Sequence, residues 1–133
     1  MADRFHCTLV TPEEQLFDEA VSHVSVPAWD GQIGLLARRA PMLVKLGYGP
    51  LQLDLADGKS KTYFVGGGFA QMKGDQLVIL TDEAMPVEDV DAKEAKAALN
   101  EALALRAIGE ESAARRDRDL ARARGMMAVA TGS

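Results

Sequence analysis

Only one cysteine, Cys7, occurs in the 133 residues, so no internal disulfide can form. That fits a reducing compartment and leaves packing alone to hold the fold. Aromatic residues are scarce at 5%, so any core must be mostly aliphatic. No stretch approaches the roughly 18 consecutive apolar residues of a membrane span. The opening "MADRFHCTLVTPEEQLF" lacks the basic-then-apolar order of a signal peptide and the Arg- and Ser-rich, acid-poor start of a transit peptide. A soluble cytosolic protein is expected, one that can still dock on a membrane machine. Positive charge is also short: 15 Lys+Arg against 20 Asp+Glu give a net charge of -5, which argues against a nucleic-acid partner. What is present is 47% hydrophobic residues, enough for a real core in one compact domain or a small domain with an appendage.

The first part of the chain is written in strands. In "RFHCTLV", Phe5, Cys7 and Leu9 alternate with Arg4, His6 and Thr8, the period of two of a half-buried strand. "VSHVSVP" and "LQLDL" repeat the alternation, while "KTYFVGG" and "QLVILT" are β-branched and apolar like inner strands. Turn signals separate them, and Asp57-Gly58 and Gly74-Asp75 suit tight hairpins. After Pro86 the spacing becomes helical. Asp91 can cap a first helix with Glu94 reaching back, and Ala95, Ala98, Leu99, Ala102 and Leu103 share one face. Gly109 is expected to stop that helix, and a second, "EESAARRDRDLARAR", to end near Gly125. The fold class is therefore β plus α. An N-terminal antiparallel β-sandwich, residues 1–86, precedes a C-terminal two-helix antiparallel hairpin, residues 87–133.

The second helix is polar nearly all round. Leu120 is its only large aliphatic residue, and Arg115, Arg116, Arg118, Arg122 and Arg124 surround it. One reading is a solvated surface helix held by pairs such as Glu111–Arg115 and Arg115–Asp119, each worth about 0.3 kcal/mol. The other is a detachable arm that meets an acidic partner. After Ser112 five arginines face only Asp117 and Asp119, a local positive surplus in an acidic chain.

The run Gly66-Gly67-Gly68 invites a nucleotide reading, which its surroundings refuse. A P-loop needs Lys-Ser/Thr at the start of a helix, and G-x-G-x-x-G would need glycine where Gln71 stands. Strand-like sequence follows, so no helix N-terminus waits for a phosphate. The glycines are expected to make a bulge or bend where a strand crosses between sheets. His6 and His23 lie in separate strands without neighbours at ligand spacing, so no metal site is expected. Cys7 reads as a small buried hydrophobe, and no catalytic constellation is visible. Trp29, on a turn, is either a contact residue or a cover for the end of the sandwich.

The stretches "FHCTLVTPEEQLFDEAVSHVSVPAWDGQIGLLARRAPML", "YFVGGGFAQM" and "VILTDEA" running into "EDVDAKEAKAAL" make the chain resemble a known family. It is similar, from residue 5 to about residue 124, to the epsilon subunit of bacterial and chloroplast-type rotary ATP synthases, the counterpart of the mitochondrial delta subunit. In that family the glycine-rich turn is structural. The resemblance implies a non-catalytic rotor subunit that couples rotation of the c-subunit ring to ATP synthesis. Its implied partners are the gamma subunit of the central shaft, the c ring and, transiently, the alpha and beta catalytic subunits. Its implied place is peripheral, on the cytoplasmic face of a bacterial inner membrane or the stromal face of a thylakoid.

By analogy Asp30, Gly31, Gln32, Arg38 and Arg39 face the ring. Here Ala37, Arg38 and Arg39 take the places of the family's usual Pro-x-His, which changes the charge at that contact. The resemblance also makes the hairpin a regulatory arm. Folded down it lies on the sandwich; extended, about 40 helical residues reach roughly 60 Å toward the catalytic head. Arg115, Arg116, Arg118, Arg122 and Arg124 would then face an acidic loop of the beta subunits.

Some family members bind ATP on the hairpin through I/L-D-x-x-R-A with a second arginine seven residues on. Arg115, Arg122 and, in the first helix, Asp91 take matching places, but Ser112, Arg116 and Glu94 depart from the pattern. An acidic Glu94 would repel phosphates, so no cofactor is expected, with ATP on the hairpin as the alternative. A stand-alone β-sandwich binding module is the rival reading outside the family.

Overall fold

The computed structural model describes residues 4–35, 41–105 and 109–131. Among these described residues nine strands come first: β1 (Phe5–Val10), β2 (Gln15–Ala28), β3 (Gly31–Leu35), β4 (Met42–Lys45), β5 (Tyr48–Leu55), β6 (Ser60–Gly66), β7 (Phe69–Lys73), β8 (Gln76–Leu80) and β9 (Glu83–Pro86). A single 3-10 turn at Val87–Asp89 leads to helices α1 (Ala92–Ala104) and α2 (Gly109–Thr131). The strands hydrogen-bond in the order β4-β7-β8-β1-β2-β5-β6-β9, with β3 added to β2. Among the described residues all pairs are antiparallel except β1 with β8, which run parallel.

One long strand joins the two layers of the sandwich. The first half of β2 pairs with β1 from Gln15 to Val21, and its second half pairs with β3 and β5. The alternation seen in the sequence then points inward. Phe5, Cys7 and Leu9 meet Leu51, Leu53, Leu55, Leu77 and Ile79 in one aliphatic core. Burial pushes the Cys7 thiol up to about 12, with the charge of Asp18 adding to it, so at neutral pH it is a protonated, packed side chain.

β6 is buried on both sides, which explains its unbroken apolar run. Tyr63 and Val65 enter the sandwich core, while Phe64 points the other way into a second cluster with Val90, Ala95, Met126 and Val129. The hairpin is therefore folded down on the outer side of β5 and β6.

Several sequence expectations for the hairpin are corrected. Asp91 does cap α1, accepting from the Lys93 N–H at 2.8 Å. Glu94 makes no reciprocal bond among the described residues, and Leu103 is 50% exposed, off the packed face. Gly109, with φ +83, opens α2 instead of closing α1. Gly125 does not end α2, which continues to Thr131 because "MMAVA" supplies the apolar anchor that the arginine-rich part lacks. Glu111–Arg115 and Arg115–Asp119 are not ion-paired among the described residues; the pair that α2 makes is Arg122 with Glu83.

Candidate functional site

The glycine corner is a structural joint. Gly67 and Gly68 have φ of +74 and +96 and carry the chain from β6 to β7, strands that lie far apart in the hydrogen-bonded order. No helix follows. The corner is tied by Leu46 N–H to Gly68 O at 2.9 Å and Gly67 N–H to Gly47 O at 3.1 Å. Thr81, 3% exposed, places its hydroxyl 3.1, 2.8 and 3.0 Å from the carbonyls of Gly66, Gly67 and Glu83. It holds one proton, and the Gly67 carbonyl is the nearest acceptor. Thr81→Val keeps the shape and removes that donor, so it should cost about 1–3 kcal/mol. A lower urea midpoint at unchanged m-value would register that loss.

The corner borders a surface groove of about 990 Å³ lined by Trp29, Tyr48, Phe69, Leu80 and, from the hairpin, Arg118. Next to it the outer face of β4, β7 and β8 exposes large apolar side chains among polar ones. Register places Lys45, Phe69, Leu80 and Val10 in one row. Leu43, Gln71, Val78 and Thr8 form the next. Leu43, Phe69 and Leu80 are 66%, 50% and 54% exposed, a contiguous patch of the kind that marks an interaction surface. Residue-by-residue reading of the sequence missed this face, although "FAQMK" and "QLVIL" carry apolar residues at both parities.

Trp29 is 70% exposed at the tip of the β2–β3 hairpin, which fits a contact residue and not a plug for the sandwich end. Asp30 shares that exposed tip, and Gly31 follows with φ +140. Gln32 is tied inward, its amide donating to Ser25 Oγ at 2.9 Å and to the Pro50 carbonyl at 2.8 Å. Ala37, Arg38 and Arg39 lie outside the described residues.

The five arginines of α2 divide into two groups. Arg115, Arg118 and Arg124 are exposed; Arg116 and Arg122 are half-buried. Arg122 grips Glu83 with both ends of its guanidinium, Nε to Oε2 at 2.8 Å and Nη2 to Oε1 at 2.5 Å. These hydrogen bonds raise the arginine's pKa against a burial that lowers it. Arg115 and Arg122 border a groove of about 320 Å³ between the helices, in company with Glu101 and Asp119. Asp91 is spent on the α1 cap. Of the residues suggested for a nucleotide, Arg115 and Arg122 thus share one groove and Asp91 stands at the start of α1.

His6 pairs with Asp18, and His23 Nδ1 lies 3.5 Å from Asp54 Oδ2, both across neighbouring strands. Among the described residues no three His, Cys, Asp or Glu side chains are grouped to hold a metal, and no helix is long and apolar enough to cross a membrane.

The family model for the ATP synthase delta/epsilon chain β-sandwich domain matches residues 4–87. The chain is 41% identical over 121 residues to the ATP synthase epsilon chain of Rhodopirellula baltica, covering 91% of this chain and 94% of that one. It is 37% identical over 102 residues to the epsilon chain of Maricaulis maris, covering 77% and 76%. Among solved structures it is similar to a chain of the Euglena gracilis mitochondrial ATP synthase OSCP/F1/c-ring complex. The TM-score is 0.84 at 27% identity, covering 94% of this chain and 80% of that one. A chain of the Tetrahymena thermophila mitochondrial ATP synthase central stalk and c ring shares the fold at TM-score 0.70 and 16% identity, covering 97% and 98%.

Proposed function

Because this chain belongs to the ATP synthase delta/epsilon-chain family, we propose that it is a central-stalk subunit of a rotary ATP synthase, coupling rotation of the c ring to ATP synthesis without a catalytic site of its own. The observation that carries this reading is similarity to an epsilon chain through the sandwich and the hairpin together. The partners are the gamma subunit of the shaft, the c ring and, through the hairpin, the alpha and beta subunits. The chain sits peripherally on the synthase, on the cytoplasmic face of a bacterial inner membrane.

The surface divides the contacts. We assign the apolar face of Leu43, Phe69, Val78 and Leu80 to the shaft, because a permanent partner is the usual cover for such a patch. The tip formed by Trp29 and Asp30 points the sandwich's end at the ring's polar loops, with Gln32 bracing the tip. The hairpin regulates ATP hydrolysis by leaving the sandwich and presenting its exposed arginines to acidic side chains of the catalytic head. It does so without bound ATP: Glu101 and Asp119 share the inter-helix groove with Arg115 and Arg122, and their charge opposes a triphosphate.

ATP-driven proton pumping by membranes stripped of this chain tests the reading. Adding the chain back should restore pumping. A well-folded chain that neither binds the stripped complex nor restores pumping would make it a stand-alone binding module instead.

A further inference from the structure

Three features of different kinds converge where α2 meets the sandwich. The first is the two-pronged bond from Arg122 to Glu83, 39 residues apart in sequence. Its side chains are 38% and 31% exposed, so water screens it less than an open surface pair. The second is Gly125, one turn further along α2. A Cβ there would stand 2.7 Å from the Tyr48 carbonyl carbon and oxygen and 2.9 Å from Gly49 N. The helix therefore touches the β5 backbone directly, which only glycine permits. The third is the seat of Glu83. Its backbone pairs with Gly66, and its carbonyl lies 3.0 Å from the Thr81 hydroxyl. A Cβ on Gly66 would come 2.7 Å from the Tyr48 ring and 3.5 Å from Glu83 Oε2. Gly66 thus leaves room for the ring of Tyr48, the residue on which α2 rests, and Glu83 packs beside it at ordinary contact distance.

We propose that Glu83, Arg122 and Gly125 form a latch that holds the hairpin down on the sandwich. While the latch is closed, Glu83 holds the Nε and Nη2 edge of the guanidinium, and an acidic partner takes that two-pronged edge only by displacing Glu83. Met126 and Val129, in the next turn, leave the second apolar cluster when α2 lifts, so the ion pair and the cluster open together. Salt weakens the ionic half of the latch and leaves the glycine contact in place. The latch is a property of the chain alone; its effect on ATP hydrolysis rests on the function proposed above.

Hydrogen exchange along α2 in the full-length chain tests this directly. Glu83→Gln keeps the size and removes the charge, and should speed exchange of the α2 amides about tenfold while leaving those of β1, β2 and β8 as they were. Gly125→Ala should speed them too. Alanine favours an isolated helix over glycine, so acceleration can arise only from the lost contact with Tyr48 and Gly49. Unchanged α2 exchange in Glu83→Gln, or equal acceleration throughout the sandwich, would overturn the latch. If α2 loosens but hydrolysis by the assembled synthase does not change, the latch stands and the inhibitory role of the arm falls.

Discussion

Gly68→Ala should destabilise the sandwich by at least about 3 kcal/mol and lower its melting temperature by about 10 °C or more. Two penalties coincide at this residue. Its φ of +96 is a region that L side chains rarely adopt. An added Cβ would also stand 1.9 Å from Leu80 O and 2.7 Å from Thr81 Cα. Those are backbone atoms of β8 and the turn after it, and they cannot rotate away as a flexible side chain would. Relief requires the corner to pull off β8, which breaks the Leu46 N–H bond to Gly68 O and reopens the site that Thr81 closes. A domain of this size has roughly 5–15 kcal/mol in all, so the loss is a large share. Gly58→Ala separates the two penalties. Gly58 also has positive φ, +91, but nothing lies within 4 Å of its Cβ position. It should lose only about 1–2 kcal/mol, the strain without the collision. Equal losses at the two positions, measured by thermal melts of the purified chain, would remove the close packing of the corner as the reason for its glycines.

The corner also marks how far sequence reasoning carries. That Gly66-Gly67-Gly68 turns a strand between layers was legible, because no phosphate-binding pattern and no following helix accompany it. Why three glycines are needed was not: a Cβ would meet the Tyr48 ring at Gly66 and the Leu80 backbone at Gly68, while Gly67 is required chiefly by its φ of +74, and the contact between Tyr48 and Gly66 spans 18 residues. Alternation exposed β1 and β5, whose outer faces are polar. It hid the first half of β2, where "DEA" interrupts the pattern on the solvent side, and the four-residue β4 and β9. Periodicity found both helices and misjudged the end of α2, since a glycine after a polar run reads as a stop. Here it is a contact, and the apolar turn beyond it is the anchor. The arginine surplus of α2 was visible in composition. That one of those arginines is committed to Glu83 is a long-range fact that no local pattern carries.

That division changes what removing arginines should do. Arg115→Ala, Arg118→Ala and Arg124→Ala together take away three exposed charges and leave the Arg122–Glu83 bond intact. If the extended arm is held by acidic side chains of the catalytic subunits, this triple variant should weaken its hold about tenfold or more. ATP hydrolysis by the assembled synthase should then rise while assembly is unchanged. The matching lysine variants should keep most of the inhibition, because what reaches across is chiefly charge and only secondarily guanidinium geometry. Arg122→Ala belongs in a separate experiment, since it removes one charge from the arm and at the same time frees the arm from the sandwich, two effects of opposite sign. Salt gives an independent check. Between about 0.01 M and about 0.15 M ionic strength the screening length falls from roughly 30 Å to roughly 8 Å. Hydrolysis by the unaltered enzyme should climb over that range, and hydrolysis by the triple variant should stay nearly flat. An unaltered enzyme whose hydrolysis ignores salt would mean that the arm does not act through charge, and the arginine-rich helix would then be only the solvated outer side of a hairpin anchored by Met126 and Val129.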